Sequence, residues 1–229
     1  MNKFYYLTTL VCIVGLVLLA GCEDPTAKEL DNIVAGDRPP VENCNIDHRT
    51  QTPGGWGAPA AGNNPGTIRD AHFDAVFPNG LVVGCAAGYS ITLTSAQAVE
   101  DFLPSGGKPR VLDQDYVDPG KKDLKNTLAS HIVALKLSSE MDHYLPDFGG
   151  AEYLLCDLIL CEGKFAGKKV QQLLNQANKT LGGCPSNFTL EEAIDIISSI
   201  NENFVDGEID NGVLCCVIDE DYSNDDKEI

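Results

Sequence analysis

The chain has 229 residues, and its 16 basic residues face 34 acidic ones for a formal net charge of −18 at pH 7. A surface this acidic repels nucleic acid and anionic lipid, which argues against a polyanion partner and favours solubility, cations or neutral glycans. Its nine cysteines belong with an oxidising compartment rather than the cytosol.

The N-terminus explains that compartment. Lys3 is the one charge before a run from Phe4 to Leu19 that is almost wholly apolar, with Thr8 and Thr9 as mild interruptions. A basic start, an apolar centre and small residues at the end make residues 1–21 a secretory signal peptide. The run is a little short for a stable membrane span, and no stop-transfer pattern follows it. Its end, Leu19-Ala20-Gly21-Cys22, resembles the bacterial lipobox. In that family the cysteine thiol receives a diacylglycerol, the chain is cut before it, and the new amine is acylated. Several acyl chains hold a protein durably where one does not, at about 0.8 kcal/mol per buried CH₂. Cys22 is therefore the expected lipid attachment site, with an unlipidated leader or a membrane helix as the alternative. Glu23 and Asp24 follow directly and resemble an export signal to the outer face of the cell. The expected location is the cell envelope, lipid-anchored at the outer membrane and exposed on the surface.

Removal of the leader leaves 208 residues and takes Lys3 with it. Residues 22–43 hold Pro25, Pro39 and Pro40 without a clear period, and read as the lipid anchor and a flexible tether. The folded module is expected over 44–218. Residues 219–229, "DEDYSNDDKEI", read as an acidic, disordered tail.

Within the module, "TQTPGGWGAPAAGNNPGT" (50–67) carries five glycines and three prolines around the single tryptophan and reads as loop. Ala71 to Val76 suggests a short helical turn. Gly80–Val83 and Ser90–Leu93 read as two strands around a turn at Ala86–Gly88. Thr94 with Gln97 looks like a capping box for a helix that carries Ala98, Val99 and Phe102 and stops at Pro104. Asp123 to Leu137 is a further predicted helix, with Leu124, Leu128, Ile132 and Leu135 on one side. Val170, Leu173, Leu174, Ala177 and Leu181 follow helical spacing, and Gly182 is a suitable stop. Thr189 and Glu192 form a second capping box, ahead of a stripe of Leu190, Ala193, Ile194, Ile197 and Ile200. Both stripes are expected to pack inward. Gly212 to Ile218 is the closing strand. Helices and short strands mix without a βαβ rhythm, so the expected class is α+β in a single compact, disulfide-stabilised domain.

With Cys12 lost in the leader and Cys22 lipidated, Cys44, Cys85, Cys156, Cys161, Cys184, Cys215 and Cys216 remain. Seven is odd, so at least one thiol is free or pairs elsewhere. Cys156 and Cys161 are poor mutual partners if a strand separates them, since five strand steps span about 16 Å. Cys215 and Cys216 would point to opposite faces of a strand, each with its own partner.

Catalytic signatures are missing. The four histidines lie in no zinc frame, and no G-x-S-x-G elbow occurs. A hydrolase with a non-local site, using Asp142, Asp147 or Glu152 near His143, is the enzymatic alternative. Asn201–Gly212, "NENFVDGEIDNG", supplies oxygen donors of the kind Ca²⁺ takes, with Asn203, Asp206 and Asp210 as candidates for a Ca²⁺-dependent adhesion module. The EF-hand frame fails there, and the competing reading is a helix end followed by an Asp-Gly turn. Trp56 in its glycine-rich loop is either an interaction platform for sugars or proteins, or a buried plug.

The stretches "RTQTPGGWGAPAAGNNPG", "HFDAVFPNGLVVGC", "LTSAQAVEDFLPSGGKPRVL", "LASHIVALKLS", "FAGKKVQQLLNQANKTLGGC" and "INENFVDGEIDNGVLCC" resemble, in that order, a module found in many surface and secreted proteins of the Bacteroidetes phylum. The resemblance covers residues 44 to 217. It implies a display or adhesion-type module without enzyme activity or cofactor, and disulfides Cys44–Cys85 and Cys184–Cys216. Cys156, Cys161 and Cys215 depart from the pattern. The combined expectation is a non-catalytic envelope lipoprotein, held to the membrane through its lipid and facing a protein or glycan partner.

Overall fold

The computed structural model describes residues 47–151 and 153–216. The leader, Cys22, the tether, Cys44, Glu152 and the acidic tail lie outside the described residues. Within them the chain runs α1 (Pro53–Trp56), α2 (Pro65–Val76), β1 (Leu81–Gly84), β2 (Ser90–Leu93), α3 (Ala96–Phe102), β3 (Tyr116–Val117), α4 (Thr127–Tyr144), β4 (Ile159–Leu160), α5 (Val170–Gly182), α6 (Leu190–Asn201) and β5 (Leu214–Cys215). A single 3₁₀ turn at Leu155–Asp157 precedes β4. This is the α+β arrangement expected, with a three-stranded sheet β1-β2-β3 and a two-stranded sheet β4-β5.

The centre of the molecule is α4. Leu128, Ala129, Ile132, Val133, Ala134, Leu135, Leu137 and Met141 are buried on all sides of it. A helix that is apolar all round must be enclosed, and α1, α2, α5, α6 and β1 pack around this one. It begins later than Asp123 because Asn126 is the cap, accepting from Ala129 N–H, while Asp123 accepts from Gly120 N–H instead. It also continues beyond Leu137. Ser138 and Ser139 look polar in sequence but are buried, and Ser138 hydroxyl donates back to Ala134 C=O at 3.1 Å.

The Pro/Gly stretch is more ordered than its composition suggests. Thr52 caps α1, and Asn64 caps α2 by accepting from Thr67 N–H at 3.0 Å, with Pro65 opening the helix. The carbonyls between them are satisfied by Arg69, whose side chain is fully buried. Its guanidinium donates to Trp56 C=O at 2.6 Å and Ala58 C=O at 3.2 Å, and pairs with Glu100 at 2.6 Å and Asp70 at 2.7 Å. The charge is buried but fully partnered, which is the condition for tolerating it.

β1 and β2 form the expected antiparallel hairpin, and β3 adds in parallel to β2. Leu81, Val83, Ile91 and Leu93 face the core. The cap of α3 is Ser95, not Thr94: Ser95 hydroxyl accepts from Ala98 N–H, while Thr94 donates its own N–H and hydroxyl to Asp118, each at 2.7 Å. The stop of α5 is Gly183, which adopts φ 80°, rather than Gly182. Gly182 has another task. Its C=O accepts from Tyr89 N–H at 2.9 Å, and a Cβ there would sit 2.5 Å from Cys85 Sγ. The hairpin turn therefore docks on the end of α5. The capping box at Thr189 and Glu192 is present, with both reciprocal hydrogen bonds.

The first described segment is tied to the last helix by a short parallel bridge between Thr50 and Val205. Thr50 N–H donates to Phe204 C=O at 2.8 Å, and Asp206 N–H donates to Thr50 C=O at 3.2 Å. The Thr50 hydroxyl donates to Asn201 C=O and accepts from Phe204 N–H. Beside this seam, Ser138 Oγ accepts from Gln51 N–H at 3.2 Å and from Trp56 Nε1–H at 3.1 Å. Ser138→Ala leaves both donors buried without an acceptor, at about 1–3 kcal/mol each. Urea unfolding followed by Trp56 fluorescence should show a loss of about 3 kcal/mol, with Ser138→Gly no better and Ser138→Thr partly restored.

Candidate functional site

The sequence candidates are dispersed by the fold. Trp56 is fully buried, stacked on Phe148 at 5.9 Å between ring centres, so the interaction platform is corrected to a plug. Its glycine neighbours are demanded by packing: a Cβ on Gly57 would lie 2.2 Å from Leu103 C=O oxygen. Asp142 accepts from Leu155 N–H at 2.7 Å, and burial pushes its carboxyl above the usual range. Asp147 is exposed, and Glu152 falls outside the described residues. In the 201–212 loop Asn203 Oδ1 accepts from Asn211 and Val213 N–H, and Asp210 accepts from Gly212 N–H. Asp206 accepts from Gln51 and pairs with Arg49 at 3.4 Å. These oxygens hold the loop's own backbone and the seam. Among the described residues no group of three or more His, Cys, Asp or Glu side chains is placed to hold a metal ion.

The disulfide pattern also differs from the one the resemblance implied. Cys85 pairs with Cys184, with Cα atoms 6.4 Å apart, so neither Cys44–Cys85 nor Cys184–Cys216 forms. The reason is the docking of the hairpin turn on the end of α5, which places Cys85 beside the residue after Gly183. Cys161 pairs with Cys215, Cα atoms 5.2 Å apart: the antiparallel β4-β5 register sets Ile159 opposite Cys215 and Leu160 opposite Leu214, so Cys161, just past β4, reaches Cys215 diagonally across the pair. Cys216 is disulfide-bonded separately from Cys215, as the alternation of the two residues predicts. Among the described residues Cys156 is the free thiol, and it is buried. In the chain-entropy model, loops of 99 and 54 residues give about 4–5 kcal/mol per bridge.

What the fold does assemble is a groove of about 450 Å³ between the loop after β4 and the outer side of α6. Leu160, Phe165, Ile196 and Val213 form its apolar lining, and Glu162, Glu192 and Asp195 its acidic rim. Phe165 is set edge-on to Phe188 at 4.5 Å. Lys164 Nζ lies 4.9 Å from the centre of the Phe165 ring and 2.7 Å from Glu192 Oε1. That lysine, with Thr189 N–H on the other oxygen, holds the Glu192 carboxyl below the usual glutamate range. The size and the mix of apolar wall and few charged groups fit a ligand site. Sequence reasoning missed it, since the Lys164-Phe165 pair and Glu192 come from separate segments. One signal existed: Ile196 is an apolar residue of α6 outside the inward stripe.

No family model matches the chain, and no curated protein and no solved structure matches it.

Peptide mapping without reduction should recover Cys85–Cys184 and Cys161–Cys215, with Cys156 alkylated only after denaturation. A peptide joining Cys184 to Cys216 would refute that topology. A second expectation concerns pH. His48 is buried against Phe204, and desolvation lowers its pKa from 6.5 to about 4, against a smaller opposing pull from Asp47. The unfolded chain takes up this proton first, so the stability from neutral His48 is complete above pH 6.5 and is lost as pH falls toward 4. The loss is about 3 kcal/mol at most. Urea unfolding of the wild type and His48→Phe at pH 7 and pH 4.5 should show the wild type losing more on acidification.

Proposed function

We propose that the chain is an envelope lipoprotein whose folded part is a non-catalytic binding or structural module, carried on a tether at the outer membrane and facing outward. The observation that carries this reading is Leu19-Ala20-Gly21-Cys22 at the end of an apolar leader. The cysteines support it. Among the described residues five of the six cysteines are disulfide-bonded, and Cys156 is a buried thiol. Bridges of this kind persist outside the cytoplasm. None of the described helices is long and apolar enough to cross a membrane. Of the acids considered for catalysis, Asp142 is engaged by Leu155 N–H and Asp147 is exposed. A protein partner for that groove agrees with its apolar wall and charged rim.

Intact-mass analysis of the membrane-purified chain should give residues 22–229 carrying a diacylglyceryl group and an N-acyl chain. Cys22→Ala should release the chain from the membrane fraction, and protease treatment of intact cells should clip the wild type. An unprocessed, unacylated N-terminus would overturn the anchor.

A further inference from the structure

We infer that the groove between the loop after β4 and α6 is a binding site for a lysine-bearing peptide segment, whose ammonium takes the place of Lys164 against Glu192 and Phe165. The inference deepens the binding reading above, and is independent of the lipid anchor.

The chain itself displays the recognition chemistry. An ammonium is held best where a carboxylate supplies charge and an aromatic face supplies a quadrupole. Glu192 and Phe165 provide both, and the group found there is the protein's own Lys164. Its side chain is 66 % exposed, so it can swing into water and vacate the position with little loss of packing. Once it leaves, Glu162, Glu192 and Asp195 make the groove uniformly negative around an apolar floor. That combination suits a cation on an alkyl stem next to an apolar side chain, which Leu160, Ile196 and Val213 would cover.

The site is also prepared in advance. The Cys161–Cys215 bridge joins the two strands that supply Leu160 and, just before β5, Val213. The α6 wall is fixed by its capping box, in which Glu192 Oε2 accepts from Thr189 N–H while Oε1 faces Lys164. Little ordering is then required on binding. A neutral sugar fits less well, because the only side-chain hydroxyl lining the groove is that of Ser199.

The test titrates the full mature chain with an acetylated, amidated Leu-Lys-Leu-Leu peptide by calorimetry. The comparison probes are the same peptide with norleucine for lysine, and butylammonium. Saturable binding is expected, about tenfold weaker for the norleucine peptide and weakened by salt. Glu192→Gln should weaken it about tenfold while retaining the cap, since glutamine also serves in a capping box. Lys164→Met should tighten it by removing the internal competitor. Lys164 is exposed, so that variant reports on the groove without threatening the fold. No saturation up to about 10 mM, equal affinity for the norleucine peptide, or weaker binding by Lys164→Met would each overturn the inference. Butylammonium binding as tightly as the peptide would assign the site to free amines instead. Loss of acylation at Cys22 leaves this titration unchanged, and absence of peptide binding leaves the anchor standing.

Discussion

All of Thr50's polar groups bond to the segment between Asn201 and Asp206. The rest of the structure depends on that seam. The strands of this fold are two to four residues long, too short to hold sheets together by ladders alone. Cohesion comes instead from α4, enclosed on every side, and from the few places where distant segments lock to it or to each other. The seam is the most consequential of these, because it joins the opening of the described chain to its last helix across some 150 residues. Ser138 lies beside it on α4 and accepts from both Gln51 and Trp56, which fixes the plug against the central helix.

Around this frame the charge is divided unevenly. The chain is strongly acidic, yet the buried ions among the described residues are cations, Lys136 and, more deeply, Arg69. Two carboxylates and two backbone carbonyls surround it, and those carbonyls belong to a stretch with no strand or long helix to satisfy them. Most of the other described acids are exposed, with Asp142 a partly buried exception. At the groove they meet an apolar lining, and there Lys164 folds back over Phe165 and Glu192. The same surplus of negative charge thus keeps the molecule soluble and prepares one patch for a positive partner.

Periodicity was sufficient for α5, α6 and the β1-β2 hairpin, where apolar spacing, caps and turn residues agree. It failed where composition hid the caps. Asn64-Pro65 reads as loop among glycines, although it opens a helix of twelve residues. Ser138 and Ser139 read as the end of α4, although tertiary contacts keep both inside. The disulfide partners were not legible, because they follow from how a turn docks on a helix end and from the register of a two-residue sheet. For the same reason the groove was invisible: 28 residues separate Lys164 from Glu192, and no local pattern marks their meeting.

The two described bridges interlock in sequence, one spanning Cys85 to Cys184 and the other Cys161 to Cys215. A single cut of the backbone anywhere between Cys85 and Cys215 therefore leaves both fragments covalently joined. A nicked molecule would stay in one piece until its sulfurs were reduced.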